Sequence, residues 1–459
     1  MEKDVQLQAQ SIPRLIVSLS APAILSLLVN SINMAIDRIF VARGVGTMAL
    51  SAVTISLGVY LILQGFSLLI AAGSSISIAL RLGKNDKEGA EKIIGISMML
   101  SVLLSLALTA AGLVFLKPLL TLYGANSENI GFAVKYSTVI VAGAVFFVLA
   151  QNTNNLLKGM GYAKRAFVNF VISIVINAVL NPIFIFVFKM GIIGSALATV
   201  IGNIVCTVLA IQFLCSKKSM AQMKIQNIGL NRSFVKEITT TGIPACIMQL
   251  ALSLVSLTFN HVAAAHGGNT SVAAYGIIYS VIMLVYMPIM GLGQGIQPIF
   301  GYNYSSGNYD RVKQTLDYAM VYATIFSVIS FGIIELFSGQ IAALFSGSGS
   351  SELISMASRG MRLFCIMLPV VGIQMIGANY FQYIGKVKQS VILIALRQLI
   401  LLIPLVVILP KWFQLTGIWI ATPVSDFISF VITAVLVYQE IKLINQFSAG
   451  DSQSGGKTG

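Results

Sequence analysis

Residues 21–28 read APAILSLL, and residues 243–250 read IPACIMQL. The likeness is loose, but the landmarks that follow each stretch keep step. Pro22 is matched by Pro244, Gly44 by Gly267, Gly124 by Gly347, Gly161 by Gly385 and Gly194 by Gly417, at a nearly constant separation along the chain. A long apolar chain that repeats itself once has the pattern of transporters built from two repeats, with a substrate site between them.

Composition sets the medium in which the repeats fold. Only 10% of the residues are charged and 57% are apolar, against roughly 25% and 45–50% in a soluble domain. A water-soluble core of this size needs a charged shell that the chain lacks. Its apolar residues fall instead into twelve runs, at about 14–42, 50–79, 93–116, 130–153, 166–188, 192–215, 237–263, 271–300, 315–337, 355–382, 390–410 and 415–438. Each is about long enough to cross a hydrocarbon layer ~30 Å thick. The runs are continuous rather than alternating, which predicts helices and not barrel strands. The expected fold is an all-α polytopic membrane protein of twelve spans. Six spans per half is an even number, so the two repeats are parallel.

The net charge of +14 invites a nucleic-acid reading, but its placement argues against one. With the N-terminus inside, twenty Lys and Arg fall on inner segments and seven on outer ones (Arg43, Lys117, Lys135, Lys189, Arg359, Arg362 and Lys411). That is the positive-inside bias, and it places both termini in the cytoplasm. Arg38 and Arg397 lie within spans. The four cysteines, Cys206, Cys215, Cys246 and Cys365, have no metal spacing and no evident pairing, so packing is their expected role. The polar start MEKDVQLQAQ does not read as a cleavable signal, and none is expected there.

These features divide the chain into an N-terminal segment 1–12, a first lobe 13–215, a linker 216–236, a second lobe 237–440 and a tail 441–459. Both the linker and the tail are expected in the cytoplasm. The small polar end SAGDSQSGGKTG predicts a disordered tail. GSGSS at 347–351 reads as an outer turn.

Polar groups inside a bilayer are the informative ones, because a mid-span acid costs ~2.5–3.5 kcal/mol on the insertion scale. Asp37 lies on span one, four residues after Asn33, which puts both on one helical face. A carboxylate held out of water carries its charge at a cost, which suits it to exchanging a proton; pairing with Arg38 near the outer surface is the plainer alternative. Asn177 and Asn181 repeat the four-residue spacing on span five, just before Pro182. Asn154 and Tyr136 on span four and Thr199 on span six can complete a polar pocket, or can simply bridge helices. In the second half Arg397 and Asp426 sit at comparable depths, and a structural ion pair is expected. Glu335 reads as interfacial, and His261 alone is weak evidence. Met34, Met248, Met283, Tyr286 and Met287 are candidates for an adaptable substrate cleft, since thioethers refit to varied shapes. No metal-ligand cluster, nucleophile motif or phosphate-cradling loop supports a membrane-embedded enzyme.

DRIFVARGVGTMALSAVTI (37–55), LLKGMGYAKRAFVN (156–169) and NAVLNPIFIFVFKMGIIGSALATVIG (177–202), in that order within a duplicated twelve-span chain, resemble the multidrug and toxic compound extrusion (MATE) exporters. The likeness extends over residues 10–440 and is strongest to the bacterial and archaeal branch with DinF-like and MepA-like members. It implies a V-shaped pair of six-helix lobes in an inner membrane, usually monomeric. The implied activity is export of amphipathic, often cationic, compounds in exchange for inward H⁺ or Na⁺, with no other cofactor and no nucleic acid. By the same resemblance, Asp37 is the coupling acid, and Asn33, Tyr136, Asn154, Asn177, Asn181 and Thr199 form its cation site. Pro22 is the implied hinge of span one. Many relatives carry LDP on span five where this chain has LNP, so Asn181 replaces a second carboxylate. A single acid makes a poorer Na⁺ site, at Asp37 or elsewhere, but suffices for a proton. A flippase for lipid-linked or other amphipathic metabolites is the alternative; an anionic pyrophosphate carrier requires several cavity cations, and only Arg38 and Arg397 lie within spans.

Overall fold

The computed structural model describes residues 10–346 and 351–454, so the 347–351 turn, apart from Ser351, and the chain's two ends lie outside the described residues. Among the described residues, ten helices are long and apolar enough to cross a membrane, and two further pairs pass that test together. The first half contains α1 (Ile12–Gly44), α2 (Thr47–Gly83), α3 (Lys87–Leu122), α4 (Ile130–Ala142), α5 (Ala144–Gly159), α6 (Ala163–Pro182) and α7 (Ile192–Leu214). The second contains α8 (Arg232–Gly268), α9 (Thr270–Ser305), α10 (Tyr309–Ser346), α11 (Ser351–Cys365), α12 (Leu368–Tyr383), α13 (Val387–Ala395), α14 (Ile403–Ile408) and α15 (Pro410–Ser454).

The pairs are α4 with α5 and α11 with α12, each bent by 52°. They fall at the fourth and tenth of the expected spans. With each pair taken as one span the total is twelve. The fifth span of each half contains a π-helical stretch, Ile183–Val187 after α6 and Leu396–Leu402 between α13 and α14. In the first case Pro182 has no N–H to give Ala178, which loosens the ladder where the wider turn begins.

Two compact units emerge from the packing. One comprises Val17–Leu250; the other comprises Ser11–Ile16 and the chain from Ala251 on. The first is held by a core that includes Val41, Ala52, Leu120, Ala133, Val148 and Ile192, all nearly inaccessible. In the second, Phe259 stacks on Tyr275 at 4.7 Å within a core that also buries Ile278, Met361 and Trp419. The outward faces are apolar as well: Leu106, Val114 and Phe115 on α3 and Ile325, Ile329, Ile333 and Leu336 on α10 are exposed. Such surfaces suit hydrocarbon and not water, and the protein is a multi-pass membrane protein.

The first turns of α8 belong to the first unit because two glycines let backbones touch. A Cβ at Gly73 would run into the carbonyl of Ile238, and one at Gly242 into the carbonyl of Leu69. Arg81 at the end of α2 secures the same crossing, reaching Glu237 through Nε (3.1 Å) and Nη2 (2.6 Å). The segment that links the halves is packed rather than loose. Lys224 pairs with Glu91 at 2.6 Å, and Met220 and Ala221 are buried.

The repeats agree in backbone detail. Gly161 and Gly385 both take positive φ, 80° and 81°. Gly191 has φ 59° and ψ −139°, and at the matching place in the second repeat Gln414 has φ 50° and ψ −135°. Only the first of these is the residue type that conformation favours. α15 runs on to Ser454, into the small polar stretch that begins at residue 448. Extending a formed helix needs no new nucleus, so small polar residues can continue it.

Candidate functional site

Asp37 lies on α1, two turns before its end, and is half-buried. Its carboxylate is met by amides from two helices. Asn181 Nδ2 donates to Oδ1 at 2.7 Å, and Asn33 Nδ2 approaches Oδ2 at 3.4 Å from one turn away on α1. Asn177 completes the set when its nitrogen faces the acid. It then donates to Asp37 Oδ1 (3.0 Å) and Asn33 Oδ1 (3.2 Å), while its oxygen accepts from Thr199 Oγ1 (3.2 Å) and Thr199 N (3.1 Å). This orientation satisfies both ends of the amide; the reverse sets its oxygen against acceptors only.

The four-residue spacings explain why the sequence builds this. Asn33 and Asp37 share one face of α1, Asn177 and Asn181 one face of α6, and those faces meet, with α7 bringing Thr199 alongside. Asn177 is 4% exposed and Asn181 0%, so both amides are committed to the site. Hydrogen bonds to a charged group contribute about 1.5–3 kcal/mol each. Here they support a charge without cancelling it, because among the described residues no Lys or Arg forms an ion pair with Asp37. Arg38, next in sequence, is exposed.

The remaining expected members divide. Tyr136 on α4 packs against the first core and lies close enough to Asp37 to interact with it electrostatically. Asn154 on α5 is 8% exposed, and its Oδ1 has no hydrogen-bond partner, so that atom is not joined to the acid. Asn181 Oδ1 is likewise buried without a partner, which leaves the site holding an oxygen able to accept a hydrogen bond or to face a cation. Pro22 sits inside α1, which continues past it, and Ser26 Oγ donates to its carbonyl at 2.8 Å. Among the described residues no group of three or more His, Cys, Asp or Glu is placed to hold a metal ion.

In the second unit the expected ion pair forms. Arg397 Nε donates to Asp426 Oδ1 at 2.8 Å, with side-chain exposures of only 13% and 4%. Tyr286, read from the sequence as a cleft residue, belongs to the same assembly: its hydroxyl accepts from Arg397 Nη2 at 3.2 Å. Ser425 Oγ donates to the Arg397 carbonyl at 2.8 Å, where the π-helical stretch opens the backbone. No spacing rule pairs residues 286 and 397. Met34, Met248, Met283 and Met287 are all half-buried. Glu335 is half-buried beside Arg362 at 3.7 Å, and His261 is exposed. The four cysteines are free thiols, and all but Cys215 are buried.

A family model described as MatE matches residues 22–183 and again 244–408, once in each repeat. The chain belongs to the MatE family. It is 24% identical over 419 residues to the multidrug export protein MepA of Staphylococcus aureus, a match covering 91% of this chain and 92% of that one. A crystal structure of a MATE protein in the bent conformation superposes with a TM-score of 0.90 at 27% identity, covering 97% of this chain and 99% of the other. A MOP superfamily transporter from Pyrococcus furiosus, described as having a binding pocket of reversed polarity, gives 0.89 at 28% identity over 96% and 98%. MATE proteins are transporters, and this protein is a transporter rather than an enzyme.

Proposed function

We propose that the protein is a proton-driven exporter of amphipathic, often cationic, small molecules, and that Asp37 is its coupling acid. The observation that carries this is a half-buried carboxylate held only by amides, Asn181 at 2.7 Å and Asn33 and Asn177 beside it. Such a group can gain or lose a proton without leaving a buried counter-charge stranded. Support for the substrate class comes from the naming of MepA as a multidrug export protein. A Na⁺ site gains from several charged oxygens, and Asn181 supplies a neutral one where many relatives carry a second acid.

The cycle runs as an exchange. Asp37 takes up a proton from outside, the first lobe rearranges and the bound compound is released. From the inward-facing state the proton leaves and a new compound binds. The membrane potential supplies ~2.3 kcal/mol per charge per 100 mV before any pH gradient is added. In this reading the protein works as a monomer in the inner membrane with both termini in the cytoplasm.

Ethidium export from everted vesicles, with proton and sodium gradients imposed separately, tests the proposal. The proton gradient alone should drive export, and Asp37→Asn should abolish it while the variant still inserts and binds dye. Export driven by sodium alone, or normal export by Asp37→Asn, overturns it.

A further inference from the structure

The amides that hold Asp37 are the upper end of a longer pattern. Along α6, Asn169, Ser173, Asn177 and Asn181 recur every fourth residue, and all four are buried. Along α7, Ser195, Thr199, Asn203 and Thr207 recur every fourth residue; Ser195 and Thr207 are buried and the other two half-buried. The two helices pack against each other. The seam is tied at Asn181 to Asp37, at Asn177 to Thr199, and at Ser173, whose Oγ donates to the Gly202 carbonyl at 2.7 Å. Below that lies Asn169, 0% exposed, with neither its nitrogen nor its oxygen bonded to the protein.

We propose that this α6–α7 seam is the route by which the proton leaves Asp37, a buried hydrated track with Asn169 as its polar station nearest the Ala163 end. The proposal rests on Asp37 being the proton-coupling acid. A helix face that served packing alone would carry Leu or Ala here. A face that served helix bridging would pair both ends of its amides, as Asn177 does. Asn169 does neither, and a buried amide without a protein partner is the environment that retains water. At 1.5 Å per residue the four stations lie about 6 Å apart and the track is about 18 Å long. Asn169 has no hydrogen bond to its neighbours one turn away, so a relay past it runs through bridging water.

The proton balance is simple. The Asp37 carboxylic acid gives its proton to adjoining water and becomes a carboxylate. The hydrogen-bonded chain relays the charge, and one proton passes to buffer at the far end. The amides and hydroxyls hold water and are not themselves ionised. The titratable and charged groups beside the seam include Tyr60, Tyr136 and Arg38 at the Asp37 end, Lys158 with Cys206 toward the other, and Lys164 and Arg165 at the Ala163 end, where Arg165 lies over Phe213 of α7 at 5.6 Å. A cation near that mouth keeps a proton from dwelling there.

Full-length protein in liposomes containing pyranine tests the route. Asn169→Leu, of similar bulk but apolar, should slow proton release after a pH jump and dye export by at least tenfold. Ethidium binding and the Asp37 carboxyl infrared band, identified by its loss in Asp37→Asn, should titrate as in the parent. Asn169→Ser, which keeps a polar group and room for water, should come back to within about twofold. Ser173→Val repeats the test one turn nearer the acid and serves if the leucine variant does not fold. Parental rates in Asn169→Leu and Ser173→Val, with Asp37→Asn inactive, overturn the route alone. Normal export by Asp37→Asn overturns the coupling assignment beneath it.

Discussion

Each lobe carries an acid within a span at a place where the other repeat has asparagine. Asp37 on the first span of the first repeat has Asn260 as its counterpart in the second; Asp426 on the last span of the second has Asn203 as its counterpart in the first. Their surroundings differ as much as their places. Asp37 is held by three neutral amides, whereas Asp426 is tied to Arg397, itself fixed by Tyr286. An acid among amides can change its charge at modest cost. An acid paired with a buried guanidinium cannot, since neutralising it strands the partner. One fold used twice thus yields a group suited to titrate and a group suited to brace.

The largest test of that contrast is removal of each charge. Asp426→Asn leaves Arg397 buried without a counter-ion and should cost about 3–5 kcal/mol of stability, whereas Asp37→Asn should cost under about 1 kcal/mol. Thermal unfolding in detergent measures both, and equal losses would break the comparison. Next in size is Asn181→Ala. Losing its 2.7 Å bond to the acid should cost about 1.5–3 kcal/mol of support for the carboxylate, seen as an altered pH profile of export with dye binding intact. A profile like the parent's would mean that Asn181 does not hold the acid.

Two smaller tests address the repeats themselves. Gln414→Gly should raise stability by about 1 kcal/mol, because the backbone there has the conformation that Gly191 takes in the first repeat. Gly191→Gln should do the reverse. The smallest concerns Asp86, whose counterpart in the second repeat is Tyr309. Asp86 caps α3 by accepting from Gly89 N at 2.8 Å. That backbone bond, with help from Arg81, holds its carboxyl below the usual carboxylate range. A depressed folded-state value adds stability above the unfolded value, which is lost as pH falls through the folded one. The thermal midpoint of the parent should therefore drop more steeply than that of Asp86→Asn below about pH 4; parallel curves would remove the cap's contribution.

The repeat, the apolar runs and the paired spacings were legible because each is a statement about one helix or about order along the chain. Asn33 with Asp37, and Asn177 with Asn181, are neighbours by helical geometry alone. Arg397 and Asp426 could be matched by depth. What spacing does not carry is helix rotation. It therefore left open which face of α6 meets α1, that Tyr286 serves Arg397, and that Asn154 Oδ1 stands apart from the acid. The bends at the fourth and tenth spans were hidden for a similar reason, since an apolar run reads alike whether straight or bent. The four-residue stripe through Asn169 and Ser173 was in plain view in the sequence. Its burial, and the absence of a protein partner for Asn169, needed coordinates.

Where α2 crosses the start of α8, Gly73 and Gly242 bring main chain against main chain. A gap closed to that degree has no width for a file of water or for a stray ion. In a membrane that stores ~2.3 kcal/mol per charge per 100 mV, any such leak would short-circuit the gradient. At that crossing the two glycines leave no such path, and a methyl group at either would wedge the two backbones apart.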